Sequence, residues 1–99
     1  MEQIKLSSDQ KDALMKIMCE NLSVFRAKLN ISQEEVACKI GVTRQTISAV
    51  ERGQRKMTWS NFLALVLVFF RNQSTKRMLV ALEIYTPELD AFLTIKTEG

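Results

Sequence analysis

The stretch that decides the fold runs over Gln33–Arg52 and reads QEEVACKIGVTRQTISAVER. Ser32 stands directly before it and Glu35 follows three residues later, which is the spacing of a capping box at the start of a helix. We expect this helix to end at Ile40, because Gly41 can adopt the positive φ that stops a helix. The first half of the stretch therefore predicts one short, capped helix.

A second short helix follows the turn. Thr43 is a candidate N-cap, and we expect the helix to run from Arg44 to Arg52, where Gly53 ends it. Ala37 is small because the second helix crosses close above it. The apolar residues spaced to fill the wedge between the two helices are Val36, Ile40, Val42, Ile47 and Val50. The polar residues at the outward positions of the second helix are Arg44, Gln45, Ser48 and Arg52. This layout is that of a DNA-binding helix-turn-helix.

Helical patterns continue on both sides of this motif. Upstream, apolar residues recur at steps of four and three, as on one face of a helix. Ser7 or Ser8 is the candidate N-cap of this helix and Asn30 its end, while a break near Asn21 would also fit the spacing. The further helices that we expect lie at residues 9–29, 59–70 and 75–84 and from Pro87 onward. With only three glycines and one proline in the chain, the sequence predicts an all-α, compact domain of five to six helices over residues 1–99.

The composition excludes several classes of function. The chain has no histidine, and Cys19 and Cys38 stand too far apart for CxxC chemistry. Zinc sites and Ser-His-Asp or Cys-His catalysis therefore lack their ligands and bases, so we expect no enzyme, no metal and no cofactor. Two thiols without a disulfide framework, and no apolar signal segment near Met1, favour a cytoplasmic protein with inert thiols. The longest apolar run, Phe62–Phe70, is about half the length that a membrane span needs.

The motif and its flanks resemble a known family, the lambda-repressor-like helix-turn-helix regulators, often called the xenobiotic response element family. The resemblance covers about residues 21–70, and it implies that this part is the DNA-binding core. We expect residues 71–99 to be a helical extension that supplies a dimerisation element. The stretches that carry the resemblance are Leu22–Arg26 (LSVFR), Ile31–Ala37 (ISQEEVA), Gly41–Ser48 (GVTRQTIS) and Glu51–Lys56 (ERGQRK).

The resemblance also implies a division of roles on DNA. The residues expected to contact bases are Thr43, Arg44, Gln45 and Ser48. The residues expected to bind phosphates are Gln33, Arg52, Arg55 and Lys56. The chemistry agrees with this mapping, because Arg44 can donate bidentately to guanine and Gln45 to adenine. The family further implies an ion pair between Arg26 and Glu51, which would join the first helix to the second helix of the motif.

The predicted helix at 59–70 departs from the family pattern because it is apolar on every side. Its ordinary inward stripe is formed by Phe62, Leu65, Val66 and Phe69. A second apolar set on the same helix is formed by Ala64, Leu67, Val68 and Phe70. A helix that is apolar all round must be covered all round. We therefore expect the last two helices, or a second copy of the chain, to cover this second set. Met57 is a further departure, since the family often has proline there.

Together these observations predict a sequence-specific transcriptional regulator, a repressor acting by occlusion, that binds a two-fold symmetric operator in double-stranded DNA as a homodimer. Charge agrees with this hypothesis, because residues 1–82 carry 13 basic and 7 acidic side chains, whereas residues 83–99 carry one basic and four acidic. Three alternatives stay open. They are an antitoxin that also binds a toxin through the last two helices, an adaptor that binds another protein through the motif, and a helical hairpin that binds no nucleic acid.

Overall fold

The computed structural model of the chain describes residues 5–95 and 97. This part of the chain contains helices and no strand, which confirms the predicted all-α class. The helices are, in chain order, α1 (Ser8–Leu29), α2 (Gln33–Ile40), α3 (Arg44–Glu51), α4 (Trp59–Phe69), α5 (Gln73–Ala81) and α6 (Pro87–Leu93). None of the described helices is both long and apolar enough to span a membrane.

Local hydrogen bonds define both ends of α1. The N-cap is Ser7, whose Oγ accepts from the backbone N–H of Gln10 at 3.0 Å, while Gln10 Oε1 accepts from the Ser7 N–H at 2.7 Å. This reciprocal pair is a full capping box that the sequence pattern did not predict. Asn30 ends the helix in the left-handed region, with a φ of 54°. The alternative of a break near Asn21 is wrong, since α1 runs through it and Asn21 Nδ2 donates to the Ile17 carbonyl.

The turn between α2 and α3 depends on Gly41. Its φ is 78°, a conformation that costs a residue with a side chain roughly 1 kcal/mol, and its N–H donates to the Ala37 carbonyl at 2.9 Å. At the start of α2, Ser32 Oγ accepts from the Glu35 N–H at 2.9 Å. The predicted capping box is only half formed, because the return bond from the Ser32 N–H to the Glu35 side chain does not occur among the described residues. One cap and one glycine are thus enough to delimit α2.

Cap residues also delimit α3. Thr43 Oγ1 accepts from the Thr46 N–H at 3.2 Å, as predicted for an N-cap. The helix ends at Glu51, one residue earlier than predicted, because Arg52 is already the C-cap and Gly53 continues the turn with a φ of 72°. At 8 residues α3 is shorter than the roughly 12–15 residues that an isolated helix needs in water. Its position therefore depends on the residues that it packs against.

One hydrophobic core joins the motif to α1 and α4. The buried wedge residues are Val36, Ile47 and Val50, and the half-buried ones are Ile40 and Val42. Ala37 is buried where α2 and α3 approach each other. The ring of Phe25 in α1 stacks on that of Phe69 in α4, with centroids 4.7 Å apart. Met57, between α3 and α4, is only 3% exposed, so this departure from the family pattern fills the core.

The predicted helix over 75–84 is wrong at both ends, because α5 begins two residues earlier and ends at Ala81. The chain then turns through Glu83, which adopts a left-handed φ of 57°. The N–H of Ile84 donates to the Leu79 carbonyl at 2.9 Å, and Ile84 is fully buried. A continued helix would carry Ile84 away along the helix axis, whereas the turn returns its side chain to the core.

The segments that follow α4 cover only part of its second apolar set. This helix ends at Phe69, and the ring of Phe70 lies 4.9 Å from that of Tyr85. On α6, Phe92 packs edge-on against Trp59 with centroids 6.4 Å apart. The half-buried members of the set are Ala64, Val68 and Phe70. Leu67, however, is 65% exposed.

Candidate nucleic-acid interface

The polar residues predicted on the outward side of α3 lie on one accessible surface. We call this surface the α3 face, and it consists of Thr43, Arg44, Gln45, Ser48 and Arg52. Ser48 is half-buried and the other four are exposed. Ile47 and Val50 are buried against the core, so the helix can present its polar residues only on the opposite side. The N-terminal end of α3 thereby offers a hydroxyl, a guanidinium and an amide group side by side.

A cleft of about 390 Å³ between α2 and α3 adjoins the α3 face. Its walls include Arg44 and Gln45 from α3, and Glu34 and Cys38 from α2. The Cys38 thiol is free and exposed, and that of Cys19 is free and half-buried. Burial raises the pKa of the Cys19 thiol, which disfavours its reactive thiolate form.

A chain of hydrogen bonds connects the α3 face to the interior of the motif. Arg26 Nε donates to Glu51 Oε2 at 2.6 Å, and Arg26 Nη2 donates to Glu51 Oε1 at 2.9 Å. Arg26 Nη1 also donates to the Ile31 carbonyl at 3.2 Å. Gln33 Nε2 donates to Glu51 Oε1 at 3.0 Å, and Gln33 Oε1 accepts from Arg44 Nη1 at 3.3 Å. One network therefore runs from α1 through α2 to the exposed end of α3.

The ion pair in this network is largely removed from water. The side chains of Arg26 and Glu51 are 18% and 9% exposed. Burial alone would raise the pKa of Glu51, but the hydrogen bonds from Arg26 and Gln33 and the charge of Arg26 bring that pKa below its ordinary value. The hydrogen bond to Glu51 likewise raises the pKa of Arg26. Both groups are therefore charged at neutral pH and joined by a bidentate bond, the stronger kind of ionic hydrogen bond.

Gln33 has a different environment from the one that its phosphate-binding role implies. Both ends of its side-chain amide are occupied, by Glu51 on one side and Arg44 on the other. Its backbone N–H lies at the first position of α2, where a helix offers no acceptor of its own. In this structure the side chain of Gln33 thus links the ion pair to Arg44, while its backbone remains suited to an anion.

The three basic residues after α3 are exposed: Arg52, Arg55 and Lys56. Arg55 Nη1 donates to Thr46 Oγ1 at 3.4 Å, which draws its guanidinium toward the N-terminal half of α3. Lys56 Nζ lies 3.2 Å from Asp12 Oδ1 of α1. The sequence pattern did not indicate Asp12, because no local spacing relates residues of α1 to the segment after α3.

The fold and this surface define a class of protein, a small all-helical domain built around a helix-turn-helix in which α3 presents the exposed polar face. Residues 23–69 match the helix-turn-helix family model. These residues are therefore similar to the helix-turn-helix family, as the sequence motifs predicted.

Part of the chain also resembles curated proteins from two organisms. An uncharacterized HTH-type transcriptional regulator of Methanocaldococcus jannaschii is 49% identical over 37 residues, which are 37% of this chain and 56% of that protein. An uncharacterized HTH-type transcriptional regulator of Archaeoglobus fulgidus is 46% identical over 37 residues, which are 37% of this chain and 52% of that protein. The matched region thus spans about half the length of these relatives. No solved structure matches the chain significantly.

The substitution Arg26→Met tests how much the ion pair contributes to the free energy of unfolding. It leaves the Glu51 carboxylate with one amide donor in a site that is 9% exposed, so we expect a loss of about 3 kcal/mol in the free energy of unfolding, measured by urea denaturation. Lys28→Met is the matched control, because Lys28 is an exposed cation near the same end of α1. Its expected effect is within about 0.5 kcal/mol. Equal losses in the two variants would contradict a special role for the pair.

The stability of the domain should also depend on pH through Glu51. Because folding lowers the pKa of this carboxyl below its ordinary value of 4.5, the ionised form stabilises the fold above that pH. The contribution is lost as the pH falls from about 4.5 toward the pKa in the folded state. Urea denaturation at successive pH values should show a smaller acid-induced loss in Glu51→Gln than in the wild type. Parallel profiles for the two proteins would mean that Glu51 does not carry this dependence.

Proposed function

We infer that the chain is a sequence-specific DNA-binding transcriptional regulator whose α3 enters the major groove. The observation that carries this inference is the α3 face, a row of hydrogen-bonding side chains, four of them exposed, on a helix held by a buried core and a partly buried ion pair. A major groove about 12 Å wide admits one α-helix, and donor and acceptor groups along that helix distinguish the base pairs. The names of the two relatives agree with this function.

Base contact would fall mainly to Arg44 and Gln45. The bond from Arg44 to Gln33 is long, at 3.3 Å, and exposed, so a guanine can replace it with two shorter bonds. Gln45 is exposed and can donate and accept at an adenine. Ser48, on the next turn of α3, would contact a base through its shorter side chain. Thr43 Oγ1 already caps α3, so Thr43 would contribute chiefly its methyl group, which suits a thymine methyl.

Phosphate contact would flank the α3 face on both sides. The backbone N–H of Gln33 lies at the start of α2, where the helix dipole favours an anion. On the other side, Arg52, Arg55 and Lys56 are exposed cations after α3. Such contacts position a domain on the duplex without specifying the sequence, and they make its affinity depend on salt. The excess of basic residues over residues 1–82 supports this assignment.

A homodimer would use the apolar groove between α4 and α6. This groove has a volume of about 310 Å³ and is lined by Leu63, Val66, Leu67, Phe70, Tyr85 and Leu93. Leu67 is 65% exposed and Leu93 is 45% exposed, which is unfavourable for large apolar side chains in a single chain in water. Packing of two copies on this groove would bury both, and residues 71–99 would then act as the dimerisation element beside the DNA-binding core at 21–70.

The dimer would explain recognition of a two-fold symmetric operator. One α3 face makes few base contacts, whereas two faces set about one helical turn apart double the contacts on one side of the duplex. A dimer seated over a promoter would block transcription by occlusion, and we assign the protein this repressor mechanism.

Selection of bound sequences from a randomised duplex library tests the proposed function. We expect the wild type to enrich a two-fold symmetric motif with half-sites about 10 base pairs apart. Fluorescence anisotropy should then show tighter binding to the selected duplex than to a scrambled copy, with affinity falling as salt rises. Failure to enrich any motif, or equal affinity for both duplexes, would contradict sequence-specific binding.

Two variants in the same assay separate the two kinds of contact. Gln45→Ala should reduce the preference for the selected duplex, by about 1–3 kcal/mol if one bidentate contact is lost. Lys56→Ala should weaken binding to the selected and scrambled duplexes alike and reduce the salt slope, by up to about one. Identical behaviour of the two variants would show that these residues do not divide base and phosphate contact as proposed.

The substitution Leu67→Glu tests the dimer groove. Light scattering coupled to size-exclusion chromatography should give the wild type twice the 11.3 kDa of a single chain, and Leu67→Glu the mass of one chain. Val24→Glu is the matched control, because Val24 is a 51% exposed apolar residue on α1, outside the residues that line the groove. A dimeric Leu67→Glu, or a monomeric wild type at micromolar concentration, would rule out this interface.

A further inference from the structure

An ion pair links the expected phosphate-binding segment to α1. Lys56 Nζ lies 3.2 Å from Asp12 Oδ1, although the two side chains remain 73% and 43% exposed. Lys56 belongs to the segment between α3 and α4, and Asp12 lies in the second turn of α1. Since the pair is open to solvent, either partner can leave it without exposing a buried charge.

The surroundings of this pair are basic. It stands at a cavity of about 400 Å³ between α1 and the segment after α3. Among the side chains that line this cavity, Lys16, Arg55 and Lys56 are positively charged, and Asp12 is the one that is acidic. One carboxylate thus lies among three cationic side chains, which would otherwise be free to bind phosphates.

We propose that Asp12 is an intramolecular competitor of DNA phosphate for Lys56, and that it lowers the affinity of the domain for DNA of any sequence. This inference rests on the proposed function. The Lys56 ammonium contacts either the carboxylate or a phosphate oxygen in its place, and a phosphate brought to Lys56 also approaches the negative charge of Asp12. Asp12 is therefore a residue that limits affinity rather than one that contacts bases.

The competition has a distinct dependence on salt. An exposed ion pair is weak and is screened by salt. When Lys56 leaves Asp12 for a phosphate, the carboxylate regains a solution cation, which offsets part of the counterion release that accompanies phosphate binding. Removal of the carboxylate should therefore strengthen binding most at low salt and make the salt slope steeper.

Anisotropy with a mixed-sequence duplex tests this inference, because phosphate contact does not depend on sequence. At about 50 mM salt, Asp12→Asn should bind about two- to fivefold more tightly than the wild type, the range expected for release of an exposed pair. The gain should shrink at about 200 mM salt. Glu20→Gln is the matched control, since Glu20 is an exposed carboxylate on the same helix that makes no ion pair within the described part of the chain. Glu20→Gln changes the net charge by the same amount as Asp12→Asn, and its affinity for the duplex should rise less.

A double substitution separates competition from a general field effect. In a Lys56→Ala background, Asp12→Asn should give no more gain than Glu20→Gln, because the cation for which Asp12 competes is gone. Equal gains from Asp12→Asn and Glu20→Gln in the wild-type background would overturn the inference, as would a gain from Asp12→Asn that persists with Lys56→Ala. If the wild type prefers its selected duplex while either of these results is obtained, the proposed function stands and this inference alone fails. Thermal melts should show that every variant is folded.

Discussion

The position of α3 depends on the partly buried ion pair between Arg26 and Glu51. Arg26 is near the end of α1 and Glu51 is the last residue of α3, so their two hydrogen bonds tie the longest helix to the exposed one. Neither charge could be buried alone, because an unpaired charge of this kind costs several kcal/mol. The third contact of Arg26, with the Ile31 carbonyl, also fastens the loop that leads into α2. One guanidinium thus joins α1 to the loop before α2 and to the end of α3.

This arrangement explains how so short a helix can present side chains in a defined geometry. With 8 residues, α3 has little stability of its own and takes its place from the core under Ile47 and Val50 and from the pair at Glu51. Gln33 extends the same network to Arg44 at the surface. The interior and the α3 face are therefore coupled physically, and a change at Glu51 would reach a side chain that is proposed to contact bases.

Much of the fold could be predicted because its signals are local. The caps at Ser32 and Thr43 and the turn at Gly41 lie where the sequence pattern indicated. The end of α5 could not be predicted, because the left-handed turn at Glu83 is stabilised by burial of Ile84, a tertiary effect. For the site, the pattern identified the exposed residues of α3. It did not identify the contact of Lys56 with Asp12 or the hydrogen bond from the Gln33 side chain to Glu51.

By itself, the sequence determined the class of fold, the two helices of the motif and the polar row on α3, since capping, helical period and glycine conformation act within a few residues. Only the tertiary structure decided which of these polar groups already have partners. Gln33 is bonded at both ends of its amide, Lys56 is paired with Asp12, and Leu67 remains uncovered beside α6. The physical reason is that hydrogen bonds, ion pairs and burial between distant segments depend on distances that exist only after α1 has packed against the motif.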